Sequence, residues 1–176
     1  MLDHATELVL DVGVSGFTID ELAKRSGVAK TTIYRHFPSR NELLIAALDG
    51  QIPVPDTPDT GTFGGDLVEF LTSLVPIFED EAIRMVSLDL LALSAREPEI
   101  TELFQALATG RSGPLDTMIE RGRRRGEVRT DMDALTLLEL IEGPMFMRSI
   151  MRPDQIAAFD IESHVEGVLR VVGPRD

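Results

Sequence analysis

Cysteine is missing from this chain of 176 residues. Its absence excludes disulfide bonds, thiolate metal sites and cysteine nucleophiles. No signal peptide is expected either, because the opening residues MLDH have neither a basic start nor a continuous apolar run. A chain of this length can bury a substantial hydrophobic core. We therefore expect a globular protein of the reducing cytoplasm.

The recurrent motifs of catalysis are also missing. His4, His36 and His164 lie in three separate segments, and the chain contains no HExxH, no GxSxG and no phosphate-binding glycine loop. An enzyme remains the competing class only because acidic residues are plentiful, and paired carboxylates on helices could support acid–base chemistry. We predict that the protein is not an enzyme and that it holds no cofactor and no metal ion.

Strand-like alternation and internal repeats are missing too. Beyond residue 65, apolar residues recur at helical spacing in every periodic segment, so we predict an all-α fold. Residues 50–65 contain three prolines and four glycines and are predicted to form a linker or a long surface loop. Pro76 is expected to kink or end the helix that follows. The helices predicted in this part of the chain are 66–80, 81–96, 99–109, 114–125, 131–151 and 160–172.

Residues 17–48 are the most informative stretch of the sequence. Thr18, followed three residues later by Glu21, is a capping box that begins a short helix. Gly27 suits the positive φ that ends such a helix. A preceding helix, predicted over 3–12, is expected to pack across these elements. Its inward face is predicted to hold Ala5, Leu8, Val9 and Val12.

A second short helix is predicted over 29–37 and a third follows it directly. Pro38 ends the second helix, because the residue before a proline avoids the α region. Ser39 and Glu42 then form another capping box, which begins the third helix. Two short helices joined by a turn that contains glycine are typical of a helix-turn-helix.

The second of these helices divides into two faces. Ala29, Ile33 and Phe37 repeat every four residues and are predicted to pack inward. The opposite face offers cations, hydroxyls and an aromatic ring, with no acidic residue. Such a face suits the major groove of DNA, although a polar surface on a small helical subdomain is the alternative. The residues of this face are Lys30, Thr31, Tyr34 and Arg35, with Thr32 and His36 at its edge.

The formal net charge of −13 argues against a DNA-binding protein at first sight. Residues 18–48, however, hold five Lys or Arg against three Asp or Glu, a net charge of +2. The acidic remainder would be repelled by the phosphates and would leave one surface able to approach them. We expect weak non-specific binding that fades quickly as salt is added.

Four stretches of residues 17–48 resemble the DNA-binding half of the tetracycline-repressor (TetR) family of bacterial transcriptional regulators. They are FT at 17–18, ELAKRSGV at 21–28, TTIYRHF at 31–37 and PSRNELL at 38–44. The resemblance implies contacts with bases or backbone from Lys30, Thr31, Thr32 and Tyr34, and with phosphates from Thr18, His36 and Arg40. Arg35, on the same face, completes the predicted DNA-binding residues.

The resemblance also implies two domains with different roles. Residues 1–49 would form the helix-turn-helix domain, and residues 66–176 a helical domain that binds a ligand and dimerises. Members of the family usually carry a longer first helix and a basic N-terminal arm, whereas this sequence is expected to start inside that helix. Contacts from such an arm are therefore not assigned.

A pocket for a small molecule is implied among residues 66–151, mainly by the resemblance. Glu142 in its wall would favour a cationic or hydrogen-bond-donating ligand. The alternative is that these side chains are ordinary core. The predicted lining residues are Phe70, Leu74, Phe78, Met85, Leu88, Phe104, Met118, Glu142, Phe146 and Met147.

The long helix predicted to begin at Asp131 or Asp133 and to end near Met151 is apolar nearly all round. Its charged residues argue against a membrane span, so it needs cover from its own domain and from a partner. The last helix, 160–172, carries an apolar stripe. We therefore predict a homodimer through these two helices, with a single monomeric core as the alternative. The stripe consists of Ile161, Val165, Val168, Leu169 and Val172.

A second basic cluster consists of Arg121, Arg123, Arg124, Arg125 and Arg129. One interpretation is an additional nucleic-acid contact. The simpler one, which we favour, is that the cations complement the dipole at a helix C-terminus that Gly126 caps.

The sequence as a whole predicts a regulator of transcription that binds double-stranded operator DNA and responds to a small molecule. The specific hypothesis is a homodimeric repressor that the small molecule releases from a palindromic operator. The alternative is a helical adaptor that kept the helix-turn-helix shape and lost sequence-specific DNA binding.

Overall fold

The computed structural model describes residues 1–48, 54–102, 105 and 112–174, and over these residues it contains helices and no β-strand. The all-α prediction is confirmed. None of the described helices is long and apolar enough to cross a membrane. In chain order the helices are α1 Leu2–Gly16, α2 Ile19–Ser26, α3 Lys30–His36, α4 Arg40–Leu48, α5 Phe63–Glu79, α6 Glu81–Ser94, α7 Ser112–Arg125, α8 Ala134–Met151 and α9 Ile161–Val172, with a 3-10 turn at Pro153–Gln155 before α9.

The described residues form two compact units. Unit 1 comprises Met1–Pro53 and Asp80–Leu107, and unit 2 comprises Val54–Glu79 and Ala108–Asp176. This partition differs from the predicted border near residue 49, because α6 packs against α1 and so belongs to unit 1. Most of the helix predicted at 99–109 lies outside the described residues, although 98–102 are helical.

The core of unit 1 is built from α1, α2, α3, α4 and α6. Buried leucines lie on four of these five helices, and α3 contributes one isoleucine. Burying each such side chain contributes about 1.5–3 kcal/mol, which fixes the short helices α2 and α3 on their neighbours. The central members of this core are Leu8, Leu22, Ile33, Leu43, Leu44 and Leu90.

Helix α1 is broken at Gly13, which adopts φ 73° and ψ 175°. A Cβ at this position would lie 2.2 Å from Oδ2 of Asp89 on α6. The same carboxylate oxygen accepts a hydrogen bond from the amide of Ser15 at 3.2 Å. Val14, which follows the break, is buried, whereas Val12, which precedes it, is 42% exposed. The predicted inward position of Val12 is therefore wrong.

Helix α5 in unit 2 begins three residues earlier than predicted and ends one residue earlier, at Glu79. It begins at Phe63, which is fully buried, and the Thr62 hydroxyl caps its first turn by accepting from the Gly65 amide at 3.1 Å. The predicted linker therefore loses its last three residues to the helix. Pro76 lies inside α5 without ending it, since the helix continues to Glu79.

Helix α8 starts as predicted at the alternative Asp133 cap, whose carboxylate accepts from the Thr136 amide at 2.9 Å and the Thr136 hydroxyl at 2.6 Å. These bonds from Thr136 lower the pKa of Asp133. One half of the helix surface is buried in unit 2, and Leu135, Met147 and Met151 on the other half are 51%, 58% and 70% exposed. The buried residues are Ala134, Leu137, Leu138, Ile141, Glu142, Met145 and Ser149.

Helix α9 directs its apolar stripe into its own unit. Val165, Val168 and Val172 are at most 5% exposed, and the helix packs on α5 and α8. These three residues of the stripe are therefore covered within the protomer and not available to a partner, contrary to the expectation that assigned the stripe to a dimer interface. The stripe was misassigned because its helical periodicity is the same whether it faces the protomer core or a second chain.

Candidate nucleic-acid interface

The turn between α2 and α3 is fixed by local hydrogen bonds and one glycine. The Thr18 hydroxyl accepts from the Glu21 amide at 3.1 Å, as the first half of the predicted capping box requires. Gly27 ends α2 with φ 68°, in the left-handed region that favours glycine. The Ser26 hydroxyl then accepts from the Val28 amide at 3.3 Å. These contacts set the path by which the chain enters α3.

Helix α3 is held by one buried residue and leaves most of its surface free. Ile33 is fully buried and Phe37 is half-buried against the core of unit 1. Ala29 is exposed, so its predicted inward position is wrong. The reason is that Ala29 is the N-cap with an extended backbone, ψ 139°, and does not follow the helical spacing.

The predicted DNA-facing side of α3 is present as an exposed surface. Tyr34 is 49% exposed, and Thr32 at the edge of the face is half-buried. Cations, hydroxyls and one phenol therefore reach solvent together, in the combination that can meet phosphates and base edges. The exposed residues of this face are Lys30, Thr31, Tyr34, Arg35 and His36.

One acidic side chain reaches this surface, which the sequence predicted to be free of acids. Oδ1 of Asp20, in the first turn of α2, lies 2.6 Å from Nζ of Lys30. Both side chains are largely solvent-exposed, 75% for Asp20 and 52% for Lys30. The prediction failed because it considered α3 alone, whereas the carboxylate comes from the neighbouring helix.

Arg40 at the start of α4 is engaged with the backbone of unit 1. Its Nε donates to the carbonyl oxygen of Phe17 at 3.0 Å, and its terminal nitrogen also donates to that of Val14. The Ser39 hydroxyl caps α4 by accepting from the Glu42 amide at 3.1 Å. Arg40 thus ties α4 to the junction of α1 and α2, and its predicted phosphate contact stays a prediction.

A cleft of about 490 Å³ in unit 1 brings together three of the residues predicted to touch DNA. Phe17 and Ile19 line it, and they are 1% and 6% exposed. Leu93 near the end of α6 and Glu97 just beyond it also line the cleft. The three predicted DNA contacts that it shares are Thr18, Tyr34 and Arg40.

The predicted effector-binding residues do not share one environment. Five are buried in unit 2 on α5, α7 and α8, namely Phe70, Leu74, Phe78, Met118 and Glu142. Phe146 and Leu88 are half-buried. Met85 and Met147 are 51% and 58% exposed, so neither side chain is enclosed by its own chain, and their predicted place in the pocket lining stays a prediction. Phe104 lies outside the described residues.

The five arginines near the end of α7, which we call the arginine cluster, are held by acids and carbonyl oxygens of unit 2. Arg121 pairs with Asp59 at 3.0 Å, and Arg125 pairs with Glu127 at 2.9 Å. The hydrogen bond with Glu127 raises the pKa of Arg125. Gly126 adopts φ 73° and caps α7 as predicted.

The remaining members of the arginine cluster have internal partners as well. Arg123 donates to the carbonyl oxygen of Thr130 at 2.9 Å, and Arg129 lies 3.1 Å from Asp131. Arg124, the most exposed, lies 3.8 Å from Glu120. Of the two interpretations of this cluster, these contacts favour a structural role. Among the described residues, no group of three or more acidic or histidine side chains is arranged to hold a metal ion.

A short exposed helix with cations, hydroxyls and a phenol, positioned by a capped glycine turn, defines the class as a helix-turn-helix DNA-binding regulator. Residues 57–168 match the family described as "Tetracyclin repressor-like, C-terminal domain", and residues 1–47 match "Bacterial regulatory proteins, tetR family". The chain belongs to the TetR family of transcriptional regulators. Proteins of this family bind operator DNA, form dimers and are not enzymes.

The similarity to known proteins extends over most of the chain. The uncharacterized HTH-type transcriptional regulator YdeS of Bacillus subtilis (strain 168) is 29% identical over 164 residues, which cover 89% of this chain and 79% of YdeS. The DNA-binding transcriptional repressor TetR of Mycobacteroides abscessus is 26% identical over 157 residues, 84% of this chain and 79% of the repressor. A TetR transcriptional regulator from Agrobacterium tumefaciens has a similar crystal structure, with a TM-score of 0.72 at 23% identity, over 99% of this chain and 93% of that one.

Proposed function

We propose that the protein is a homodimeric repressor that binds a palindromic operator through α3 and is released from it by a small molecule. The observation that carries this proposal is the exposed face of α3. Buried Ile33 anchors α3 in the core of unit 1, and Arg40 ties α4 to the junction of α1 and α2, so the face is exposed in the folded chain. The relative from Mycobacteroides abscessus, named as a repressor, supports the sign of regulation.

The exposed half of α8, together with the outer side of α9, is the dimer interface that we propose. Leu135, Met147 and Met151 make this half of α8 apolar, and Val171 on α9 is 50% exposed. Gly143 on α8 and Gly167 on α9 have open space around their Cα atoms, which allows close approach of another helix. Two chains joined by a two-fold axis would place paired α3 helices on two half-sites.

Met147→Asp tests this interface, because it puts a charge in the exposed apolar half of α8 without touching the buried half. We expect light scattering to show the monomer mass for this variant. Leu91→Asp is the matched control, since Leu91 is an exposed apolar residue of unit 1, 46% exposed. A Met147→Asp variant that kept the dimer mass would place the interface elsewhere.

The proposed effector is a mostly apolar small molecule that enters the interior of unit 2. Phe70, Leu74 and Met118 supply an apolar wall, and Glu142, 6% exposed, supplies a carboxylate. A carboxylate accepts hydrogen bonds and attracts cations, so the proposed ligand carries a donor or cationic group. Coupling of about 1–3 kcal/mol would weaken DNA binding 5- to 150-fold.

Helix α6 of unit 1 follows α5 of unit 2 directly in the chain, and it is the element through which the effector is proposed to act on the DNA-binding surface. It belongs to the region that matches the C-terminal family domain, yet it packs against α1 within unit 1. Asp89 on α6 accepts from the Ser15 amide at 3.2 Å, just before the α1–α2 junction that Arg40 holds. A shift of α6 would therefore move the backbone at the start of the helix-turn-helix.

The experiment that tests the proposed function is a selection of operators from random duplexes, followed by a panel of small molecules added to the complex. We expect a palindromic consensus and at least one compound that releases the DNA. Failure to enrich any sequence at low salt would favour the alternative, a helical adaptor without sequence-specific DNA binding.

A further inference from the structure

The ion pair between Asp20 and Lys30 places an acidic group at the edge of the proposed DNA-binding surface. The distance of 2.6 Å is that of a strong charge-assisted hydrogen bond, and both partners are exposed enough to exchange it for another. A lysine ammonium has three donors, so one can remain on the carboxylate while the others are free. The pair is therefore compatible with a simultaneous contact to DNA.

The location of Asp20 on α2 fixes where its negative charge lies relative to α3. It lies in the first turn of α2, where the partial positive charge of the helix N-terminus favours a carboxylate. The α2–α3 turn, closed by Gly27 and Ser26, keeps the two helices in one arrangement. The carboxylate therefore fixes a flexible four-carbon side chain that would otherwise sample many positions.

The carboxylate also changes what Lys30 can bind. A DNA phosphate brought to Lys30 meets the negative charge of Asp20 at close range, and like charges repel. A base edge carries no net charge and can accept from the ammonium without that repulsion. Non-specific binding depends almost entirely on phosphate contacts, whereas specific binding adds base contacts.

We propose that Asp20 is a positioning residue that holds Lys30 for a base edge and lowers the affinity of the protein for non-specific DNA. This inference rests on the proposed function, since it requires that α3 enters the DNA groove. Asp20 then sets the ratio between operator binding and non-specific binding.

The test measures dissociation constants for the selected operator and for a scrambled duplex at several salt concentrations. With Asp20→Asn, we expect the scrambled duplex to bind about threefold to fivefold more tightly, the range that one exposed ion pair supports. The slope of log K against log salt for that duplex should steepen by about 0.9, because Lys30 gains one phosphate. Operator affinity should rise less, so the specificity ratio falls.

Two further variants make the result specific. Asp11→Asn is the matched control, because Asp11 is an exposed carboxylate of unit 1 that pairs with Arg25 at 2.7 Å, away from Lys30. It should leave the scrambled duplex unaffected. In a Lys30→Ala background, Asp20→Asn should change nothing, since the double-mutant cycle removes the pair. Thermal melting confirms that all variants are folded.

Three outcomes would overturn the inference: Asp20→Asn equal to wild type on scrambled DNA, an equal rise with Asp11→Asn, or an effect that persists without Lys30. Each of them leaves operator binding by the wild-type protein intact, so the proposed function would stand. If the wild-type protein bound no duplex at all, the proposed function would fail, and this inference with it.

Discussion

Helix α3 and the arginine cluster of α7 are the two basic regions of this acidic chain, and the structure uses their cations differently. On α3, Arg35 and His36 are exposed, and Lys30 has an exposed partner. In the arginine cluster, Arg121 and Arg129 are only 15% and 17% exposed and lie against acids of their own unit. A high density of cations in the sequence therefore does not identify a DNA-binding surface.

One buried acid, Asp66, accounts for part of the difference between the two regions, since two of the five arginines approach it. Asp66 is fully buried, and its carboxylate accepts from the amide and hydroxyl of Thr60 at 2.7 and 2.8 Å. Arg125 and Arg121 approach its other oxygen at 3.4 and 3.8 Å. A buried carboxylate needs this many partners, so the arginines are committed to it. Helix α3 has no fully buried acid to satisfy, since its acidic partner Asp20 is mostly in water.

The largest effect that this comparison predicts is on the stability of unit 2. Asp66→Ala should lower the free energy of unfolding by about 3–5 kcal/mol, because it leaves Arg121 and Arg125 partly desolvated without their shared acid. Urea denaturation followed by circular dichroism measures this loss.

The control for that variant is Asp59→Ala, which removes an acid that also pairs with Arg121 but is 67% exposed. We expect it to cost less than about 1 kcal/mol, as exposed ion pairs do. If the two variants lost equal stability, the burial of Asp66 would not explain how the arginine cluster differs from α3.

A smaller effect, on DNA rather than on stability, is predicted for α3. Tyr34→Ala should weaken operator binding by about 1–3 kcal/mol, roughly 5- to 150-fold, the range of one good base contact. Its melting temperature and its mass by light scattering should match the wild type, because the Tyr34 side chain is half exposed and outside the core. Dissociation of the variant to monomers would contradict the separation of the two surfaces.

The parts of the fold that the sequence could predict are those decided within a few residues. The caps by Thr18, Ser39 and Asp133 depend on bonds to an amide three residues away. The glycine ends of α2 and α7 depend on one φ angle each. Both kinds of signal were therefore visible in the sequence, and so was the exposed face of α3 that makes up most of the candidate site.

The parts that could not be predicted depend on contacts between distant residues. Arg40 donates to the carbonyl oxygen of Phe17, 23 residues away, and Asp89 accepts from Ser15 across 74. No short-range pattern in the sequence predicts either contact. The prediction that the α9 stripe covers a partner failed for a related reason, because Val165 is buried in its own chain, where α9 packs on α5 and α8. Periodicity shows which face of a helix is apolar, but it does not show which neighbour covers that face.

The smallest effect is predicted for Arg124, whose side chain is 64% exposed and whose partner Glu120 is exposed as well. Of the five clustered arginines it is the one that could most readily meet a phosphate. We expect Arg124→Ala to change the free energy of unfolding by less than about 0.5 kcal/mol, since it loses only an exposed pair one turn apart. The operator affinity and salt slope of this variant should equal those of the wild type, because this cation takes no part in DNA binding.

A salt slope that became shallower by about 0.9 would mean that Arg124 neutralises a phosphate. The interpretation of this cluster as an additional nucleic-acid contact would then be correct at this position, and exposure rather than helix identity would decide which cations bind DNA.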